Sequence, residues 1–288
     1  MRRRRALRAA GVFVLLLLAL LGAAFFIGLR EAVSPPVRRE AHLALAGWPK
    51  DTPPLRVALL SDIHLGNRAM APERLGRIVE EVNAARPDVV LIAGDFLAGR
   101  RSDGAEEKAA ALTKPLSRLR APMGVVAVLG NHDYWTAPDA VRAALERAGV
   151  TVLVNRAVQR GPLALLGVDD PFSGHDDVPA TRASAHLRGV PVVLSHSPDV
   201  VHRLGSGFPL VLAGHTHCGQ VVLPWYGPVT TRAPLAGWKP LYDPRYRCGL
   251  VARDGRTVVV TAGLGSGTTP IRLGAPPDWW LLTLGPRG

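Results

Sequence analysis

Five short motifs in this sequence contain residue types that bind divalent cations, and each motif directly follows a short apolar run. The runs are rich in β-branched residues, which is typical of buried strands. In an α/β sheet the carboxyl ends of parallel strands face one crevice, so polar residues that follow such strands are expected to meet there. The motifs, in chain order, are Asp62-Ile63-His64, Gly94-Asp95, Gly130-Asn131-His132-Asp133, Ser195-His196 and Gly214-His215-Thr216-His217.

Seven side chains in these motifs form a candidate ligand set for two divalent metal ions. Carboxylate, imidazole and amide oxygen donors together suit Mn, Zn or Fe, and the sequence does not distinguish among these metals. One carboxylate can bridge two cations about 3.5–4 Å apart, and the pair can then share a water that attacks phosphorus as hydroxide. The predicted ligands are Asp62, His64, Asp95, Asn131, His196, His215 and His217.

His132 lies next to a predicted ligand but is assigned a different task. Its imidazole can point towards the phosphate and the departing oxygen, where a proton donor assists bond cleavage. Taken singly, the motifs have ordinary structural explanations, since aspartate often caps a helix and Gly-Asp is a common turn. The occurrence of all five motifs at strand ends is what predicts a catalytic metal site.

The elements that must position these motifs alternate between strand and helix patterns. Apolar spacing, with proline near the first turn of one segment, predicts helices over residues 72–85, 105–119 and 138–148. An edge strand is expected over 42–46, and a later strand over 257–260. This order predicts an α/β fold with two stacked sheets flanked by helices. The strands predicted to precede the five motifs cover residues 57–60, 89–92, 125–129, 192–194 and 210–212.

The N-terminal segment predicts a membrane anchor. An arginine cluster at residues 2–5 precedes an uncharged stretch over residues 9–29, which is close to the ~20 residues that cross a bilayer as a helix. The positive-inside rule then places the N-terminus in the cytoplasm and the following domain outside. A signal peptide, a twin-arginine export signal and a buried core helix are the alternatives. The predicted organisation is an anchor over residues 1–30, a linker over 31–37 and a catalytic domain over 38–288.

The amino-acid composition limits the classes of protein and of binding partner that are expected. The chain has 288 residues, of which 48% are hydrophobic and 20% charged, and this argues against both intrinsic disorder and a polytopic membrane protein. Half of the net charge of +12 lies in residues 1–40, where eight arginines face two glutamates. The other basic residues are scattered, so no nucleic acid partner is expected. The oligomeric state is not indicated.

The sequence also allows predictions about its two cysteines and its two adjacent tryptophans. Cys218 and Cys248 are too few for a disulfide framework, but they can pair if the domain is exported. Trp279 and Trp280 are predicted to pack in the final strand rather than to enter a membrane interface.

The motif order D-x-H, G-D, G-N-H, H and G-H-x-H resembles the calcineurin-like metallophosphoesterase superfamily. The stretches over 214–220, 263–265 and 270–273 are similar to a membrane-anchored bacterial subgroup of that family. The resemblance implies a four-layer α/β/β/α sandwich, with His132 as the acid or phosphate-stabilising residue. It also implies two metal sites that share Asp95: one held by Asp62, His64, Asp95 and His217, the other by Asp95, Asn131, His196 and His215.

One departure from the family pattern concerns the catalytic histidine. Many members carry a second aspartate three residues after the bridging one, and it orients that histidine; here the position is Ala98. The partner of His132 is then Asp133, another residue, or none. Metal binding does not depend on this position, whereas protonation of the leaving group does.

These inferences predict a metal-dependent phosphoesterase whose substrate is a phospholipid or another lipid-linked phosphate ester near the anchor. One alternative is a pyrophosphatase acting on UDP-2,3-diacylglucosamine, which would require a cytoplasmic site against the predicted topology. A second alternative is a membrane-tethered protein that binds metal or phosphate without turnover. Ala98 favours that second alternative, and the intact His132 and seven ligands argue against it.

Overall fold

Two six-stranded sheets form the middle of the molecule in the computed structural model, which describes residues 2–233 and 237–286. The first sheet is parallel from β2 to β5, while β16 runs antiparallel to β2 and parallel to β1. Its strands, in spatial order, are β1 (Val37–Leu45), β16 (Asp278–Pro286), β2 (Leu55–Leu60), β3 (Val89–Ala93), β4 (Val125–Val128) and β5 (Val150–Val152).

The second sheet is parallel across its centre and has an antiparallel strand at each edge. Two short hairpins lie outside both sheets, formed by β10 (Val222–Leu223) with β11 (Gly227–Pro228) and by β12 (Arg232–Ala233) with β13 (Lys239–Pro240). In spatial order the second sheet contains β14 (Gly249–Arg253), β15 (Arg256–Val260), β9 (Leu210–Ala213), β8 (Val190–Leu194), β7 (Leu163–Gly167) and β6 (Arg156–Arg160).

Helices cover the outer faces of the two sheets. Three 3₁₀ turns, Pro198–His202, His217–Gly219 and Pro244–Tyr246, complete the described helical elements. The α-helices are α1 (Arg2–Ala32), α2 (Pro72–Ala84), α3 (Ala105–Leu116), α4 (Asn131–Thr136), α5 (Pro138–Arg147) and α6 (Val178–Ala183).

The hydrophobic core has the layered form that this arrangement requires. One buried cluster lies between the sheets and includes Leu59 and Leu91 of the first sheet and Val192 and Leu212 of the second. A second cluster packs α2, α3 and α5 on the outer face of the first sheet. A third covers the outer face of the second sheet. The predicted α/β sandwich with two stacked sheets between helices is therefore confirmed.

The predicted elements agree with the structure except at some of their ends. The predicted start of the edge strand at residue 42 is wrong, because β1 begins at Val37 and pairs over nine residues with β16. That partner lies some 240 residues away, so no local pattern marks the start. The helix predicted over 105–119 ends at Leu116, one residue after Pro115. Trp279 and Trp280 are buried in β16, as predicted.

Helix α1 is long and apolar enough, over Ala10–Ala32, to cross a membrane. Most of its side chains are exposed, but Gly28 and Ala32 are buried against the rest of the chain. The helix ends at Ala32 and β1 begins at Val37, while the predicted division at residues 30 and 37 stays a prediction. Met1 and residues 287–288, which belong to the predicted anchor and catalytic domain, lie outside the described residues, as do residues 234–236.

Candidate metal centre

All seven predicted ligands lie at the carboxyl ends of strands and converge between the two sheets. Asp62 and His64 follow β2, and Asp95 follows β3. Asn131 follows β4 and begins the short helix α4. The second sheet supplies the remaining three, since His196 follows β8, and His215 and His217 follow β9. Every one of the seven side chains is buried.

Five of the seven residues have left-handed backbone conformations, which non-glycine residues rarely adopt. The φ angles lie between 49° and 69°, and each such conformation costs on the order of 1–2 kcal/mol. Backbone hydrogen bonds between neighbouring strand ends hold this geometry, for example Asp62 N–H to Gly94 O at 2.9 Å and His64 N–H to Asp95 O at 3.0 Å. The five strained residues are Asp62, His64, Asp95, His215 and His217.

Asp95 lies at the centre of the cluster. Its Oδ2 is 3.5 Å from His64 Nε2 on one side and 3.3 Å from His196 Nε2 on the other. Its Oδ1 accepts a hydrogen bond of 2.8 Å from the backbone N–H of His132. One carboxylate oxygen therefore borders two separate groups of donor atoms.

The first group consists of Asp62, His64 and His217 together with Asp95. Asp62 Oδ1 is 3.4 Å from His217 Nε2 and 3.8 Å from His64 Nε2. The two imidazole Nε2 atoms are 3.2 Å apart. These donor atoms surround one small volume.

The second group consists of Asn131, His196 and His215 together with Asp95. His196 Nε2 is 3.1 Å from Asn131 Oδ1 and 3.1 Å from His215 Nδ1. Backbone carbonyls contact the outward nitrogens, with Ala93 O 2.7 Å from His196 Nδ1 and Leu241 O 2.9 Å from His215 Nε2. Such carbonyl contacts orient imidazoles with the other nitrogen facing a metal.

The donor set fits divalent cations. Among the described residues, Asp62 Oδ1 is buried and has no hydrogen-bond partner, and such an orphaned oxygen carries a large desolvation cost. Three overlapping sets of ligand atoms from the cluster lie within 4.8 Å of one another. The seven side chains are thus where the sequence places them, and their role as ligands remains a prediction.

Burial and the close approach of carboxylates set the protonation states in the cluster. Burial, with a smaller contribution from the neighbouring Asp95 carboxylate, raises the pKa of Asp62 to about 7. Burial lowers the pKa of His64 and of His215 to about 3, which keeps both imidazoles neutral and able to ligate. Burial opposes the charge of His196, yet the carboxylates of Asp95, Asp62 and Asp170 together outweigh burial and raise the pKa of His196 well above its usual value. A divalent cation would supply the charge that His196 supplies here.

Arg272 is a buried residue that the motif analysis did not assign a role. Its guanidinium lies 3.0 Å from His217 Nδ1 and donates to the carbonyl oxygens of Gly265, Ala262 and Ala275. The guanidinium therefore contacts the side of the His217 ring that faces away from the cluster, and Nε2 faces the cluster.

The orienting partner of His132 is a backbone carbonyl. His132 Nδ1 is 2.6 Å from Gly99 O, one residue beyond Ala98. With Nδ1–H donated to that oxygen, Nε2 is the nitrogen that can exchange a proton. The carbonyl thus takes the place of the carboxylate that Ala98 lacks.

Asp133 has a structural task instead. Its carboxylate accepts backbone N–H groups from Asp95 at 3.0 Å, Phe96 at 2.8 Å, Leu97 at 3.1 Å and Gly130 at 2.9 Å. It therefore joins the chain after β3 to the start of α4. The sequence showed a carboxylate beside His132, but only these contacts show which groups it binds.

Two glycines allow the strand ends after β3 and β4 to approach closely. A Cβ atom on Gly94 would lie 2.7 Å from Gly130 N, and Gly94 has a φ of +77°. A Cβ atom on Gly130 would overlap the Asp95 carboxylate. Larger residues at these positions would push Asp95 away from the other candidate ligands.

A cavity of about 500 Å³ opens from the cluster and is bordered by Asp95, Asn131, His132, His215 and His217. Arg100 lines it beside His132 and stacks 4.1 Å above the ring of Trp135. The sequence analysis missed Arg100, although it follows the Gly94-Asp95 motif by five residues. The apolar part of the wall consists of Trp135, Phe172, Val221, Val229, Leu241 and Ile271.

The cysteines and the metal centre are close in the chain. Cys218 and Cys248 form a disulfide, and Cys218 directly follows His217. The bond settles the pairing that the sequence left open. It closes the base of the segment that contains β10 to β13.

Comparison with known proteins identifies the family. The family model for calcineurin-like phosphoesterases matches residues 55–219. An uncharacterized metallophosphoesterase of Helicobacter pylori is 31% identical over 278 residues, which cover 94% of this chain and 69% of that protein. The uncharacterized metallophosphoesterase YkuE of Bacillus subtilis is 29% identical over 237 residues, with coverages of 80% and 78%. A Danio rerio protein described as a transmembrane protein with metallophosphoesterase domain is 31% identical and is covered over 61% of its length.

The chain therefore belongs to the calcineurin-like phosphoesterase family, as its motif order indicated. Its class is that of the metal-dependent phosphoester hydrolases, and the clusters described above are its candidate metal ligands. The more specific likeness to a membrane-anchored bacterial subgroup stays a prediction.

Proposed function

We propose that this protein hydrolyses a lipid-linked phosphate ester, such as a phospholipid, with two divalent cations in its site. One observation carries the proposal: a single cavity joins the ligand cluster and the guanidinium of Arg100 to a wall of apolar side chains. A charged phosphate and an apolar group in one molecule match the two kinds of side chain that line that cavity. Small polar phosphate esters would leave the apolar wall without a partner.

The ligands divide into two sets that share Asp95. Asp62, His64, Asp95 and His217 would hold one cation, and Asp95, Asn131, His196 and His215 the other. When bound, such cations act as Lewis acids that lower the pKa of water and offset the charge of the phosphate. Mn, Zn and Fe all suit these donors.

Two further side chains act on the substrate. His132, oriented by Gly99 O, donates a proton to the leaving oxygen from Nε2. Arg100 lies in the same cavity and binds the phosphate oxygens, and its stacking on Trp135 limits the orientations of the guanidinium. Asp133 holds the backbone of Asp95 in place and does not touch the substrate.

The proposed location is the cell membrane, with α1 as a single span, the N-terminus in the cytoplasm and the catalytic domain outside. The arginines before the apolar stretch support this orientation. The Cys218–Cys248 disulfide supports it independently, because disulfides persist in oxidising compartments. Export of the folded domain by a twin-arginine-like signal is the alternative route.

Two other functions have weaker support. Hydrolysis of UDP-2,3-diacylglucosamine needs a cytoplasmic site, and the disulfide counts against that location. A protein that only binds metal or phosphate would not need His132 oriented by a backbone carbonyl at the edge of the cavity.

The test uses the full-length protein in phospholipid nanodiscs, stripped with a chelator and reloaded with Mn²⁺ or Zn²⁺. Turnover is measured on a chromogenic phosphodiester, the matching monoester and a phospholipid, with metal content determined in parallel. We expect metal-dependent hydrolysis, with the phospholipid preferred over the soluble esters by kcat/KM. Two bound metals without turnover of any substrate would favour the binding function. Turnover of soluble esters alone would exclude the phospholipid.

A further inference from the structure

The segment between the two cysteines exposes an unusual amount of apolar surface. We call its described residues, 219–233 and 237–247, the apolar lobe. Outside α1, eight large hydrophobic side chains are exposed among the described residues, and the apolar lobe contains five of them. All three aromatic residues among those eight are in the lobe, with Trp225 fully exposed, Tyr226 74% exposed and Trp238 62% exposed. The other two of the five are Leu223 and Val229.

The end of α1 is hydrogen-bonded to the stretch over residues 272–275. Gly28 O accepts a hydrogen bond of 2.9 Å from Arg272 N–H. The Glu31 carboxylate accepts from Gly274 N–H at 3.2 Å and from Ala275 N–H at 3.1 Å. The helix is therefore docked on the domain rather than connected by a loose tether.

The same stretch is fastened to the apolar lobe on its other side. Val222 N–H donates to Leu273 O at 2.7 Å, and Leu273 N–H donates to Gln220 O at 2.9 Å. Trp225 lies three residues after Val222, in the turn that follows β10, and is therefore at most about 10 Å along the chain from it. Hydrogen bonds thus join the end of α1 to residues 272–275, and others join Leu273 to Gln220 and Val222, close to the exposed aromatic residues.

The height of this connection relative to the bilayer follows from the charges of α1. The uncharged stretch ends at Leu29, and Arg30 and Glu31 follow it. If α1 spans the membrane, charged residues directly after the apolar stretch lie at the surface of the bilayer. The stretch over residues 272–275 and the start of β10 then lie at the same level.

The composition of the apolar lobe matches such a surface. Tryptophan and tyrosine concentrate where a bilayer meets water, because their rings are apolar and carry one polar group. The lobe also carries Arg232, Lys239, Arg245 and Arg247 against Asp243. A net positive charge next to apolar side chains favours a surface of anionic lipid headgroups.

From these contacts we infer that the apolar lobe inserts into the bilayer interface that surrounds the outer end of α1. Val221 and Val229 of the lobe, together with Ile271, also line the cavity. Docking would therefore turn the apolar wall of the cavity towards the lipid headgroups. The inference rests on the proposed membrane span, and it extends the proposed function by naming the surface through which a lipid would enter.

The first test measures where Trp225 lies in the full-length protein, reconstituted in vesicles of phosphatidylcholine with one-fifth phosphatidylglycerol. The fluorescence lost in Trp225→Phe reports Trp225 alone. We expect brominated acyl chains to quench more than half of that difference signal, while aqueous acrylamide quenches little of it. The inference is overturned if acrylamide quenches the signal and bromolipid does not. It is also overturned if neither quencher reaches Trp225, because a second copy of the chain or another protein would then cover the lobe.

The second test separates docking from catalysis. A double variant, Trp225→Ser with Tyr226→Ser, is expected to hydrolyse a vesicle-embedded phosphate ester at least about tenfold more slowly than the parent protein. Its turnover of a soluble chromogenic diester should stay within twofold. Leu250→Ser removes an exposed apolar side chain outside the lobe and serves as the matched control. Equal losses on both substrates would contradict a docking role.

The two proposals fail in different ways. If the parent protein does not hydrolyse lipid but Trp225 is quenched by bromolipid, the substrate proposal fails and docking stands. If lipid is hydrolysed and Trp225 remains in water, docking fails and the substrate proposal stands.

Discussion

The metal centre and the apolar lobe lie a few residues apart in the chain and are built in opposite ways. Around the candidate metal centre, strained residues such as Asp62 and His64 are buried and held by backbone hydrogen bonds from several strands. In the lobe, two-residue strands form short hairpins, and the side chains of Trp225 and Tyr226 are exposed to solvent. The difference indicates that the first region is organised for chemistry inside the molecule, and the second for contact with something outside it.

The largest effect is expected from Asp95→Ala, because one Asp95 oxygen borders both groups of donors. Turnover should fall at least about a thousandfold, which corresponds to roughly 4 kcal/mol of transition-state stabilisation. Metal content should fall with it, as measured by elemental analysis of the reloaded protein. Asp103→Asn, which changes an exposed carboxylate paired with Arg101, is the control and should leave both values unchanged. Retention of two metals by Asp95→Ala would refute the shared-ligand assignment.

A smaller loss is expected from His132→Ala, in which the metal content should not change. General acid catalysis contributes about 10²–10⁴-fold, so a loss in this range is expected for an ester with a poor leaving group. An ester with an acidic leaving group needs no proton and should lose much less. Equal losses for both esters would show that His132 is not the proton donor.

Arg100→Ala is expected to weaken substrate binding without removing metal. A loss of about 1.4 kcal/mol corresponds to a tenfold rise in KM, which is the expected size for one charged contact to phosphate. Arg101→Ala is the matched control, since Arg101 is an exposed neighbour that does not line the cavity. A change in kcat alone would contradict a role in binding the ground state.

The smallest effect is expected from Trp238→Ser in the apolar lobe. An exposed side chain contributes little to folding, so the free energy of unfolding should change by no more than about 0.5 kcal/mol. Turnover of a soluble ester should remain within about twofold of the parent, by the same reasoning. A thermal unfolding scan and an initial-rate assay measure these two quantities. Loss of soluble-ester turnover would show that Trp238 supports the candidate metal centre.

Much of the fold and of the candidate site could be predicted because the necessary patterns are local. The apolar runs before Asp62, Asp95 and His196 identify buried strands by residue type alone. Helix α2 is marked by its early proline and its apolar spacing. The start of β1 could not be predicted, because it depends on pairing with a strand at the other end of the chain.

The environment of His132 shows most clearly what could not be predicted from the sequence. The sequence offered Asp133 as a possible partner, since it is the adjacent carboxylate. The structure assigns the contact to the carbonyl of Gly99 and gives Asp133 four backbone N–H groups instead. Every non-proline residue carries the same backbone groups, so residue type cannot show which carbonyl or N–H is used.

By itself, the sequence determined which side chains can bind cations and that they follow strands, because donor chemistry and strand periodicity depend on residues close together in the chain. Only the tertiary structure decided that Asp95 borders both donor groups, that Arg272 contacts His217 and that the apolar lobe is joined to the end of α1. These relations connect residues tens to hundreds of positions apart. They arise from the packing of two sheets and one helix, which leaves no periodic trace in the chain.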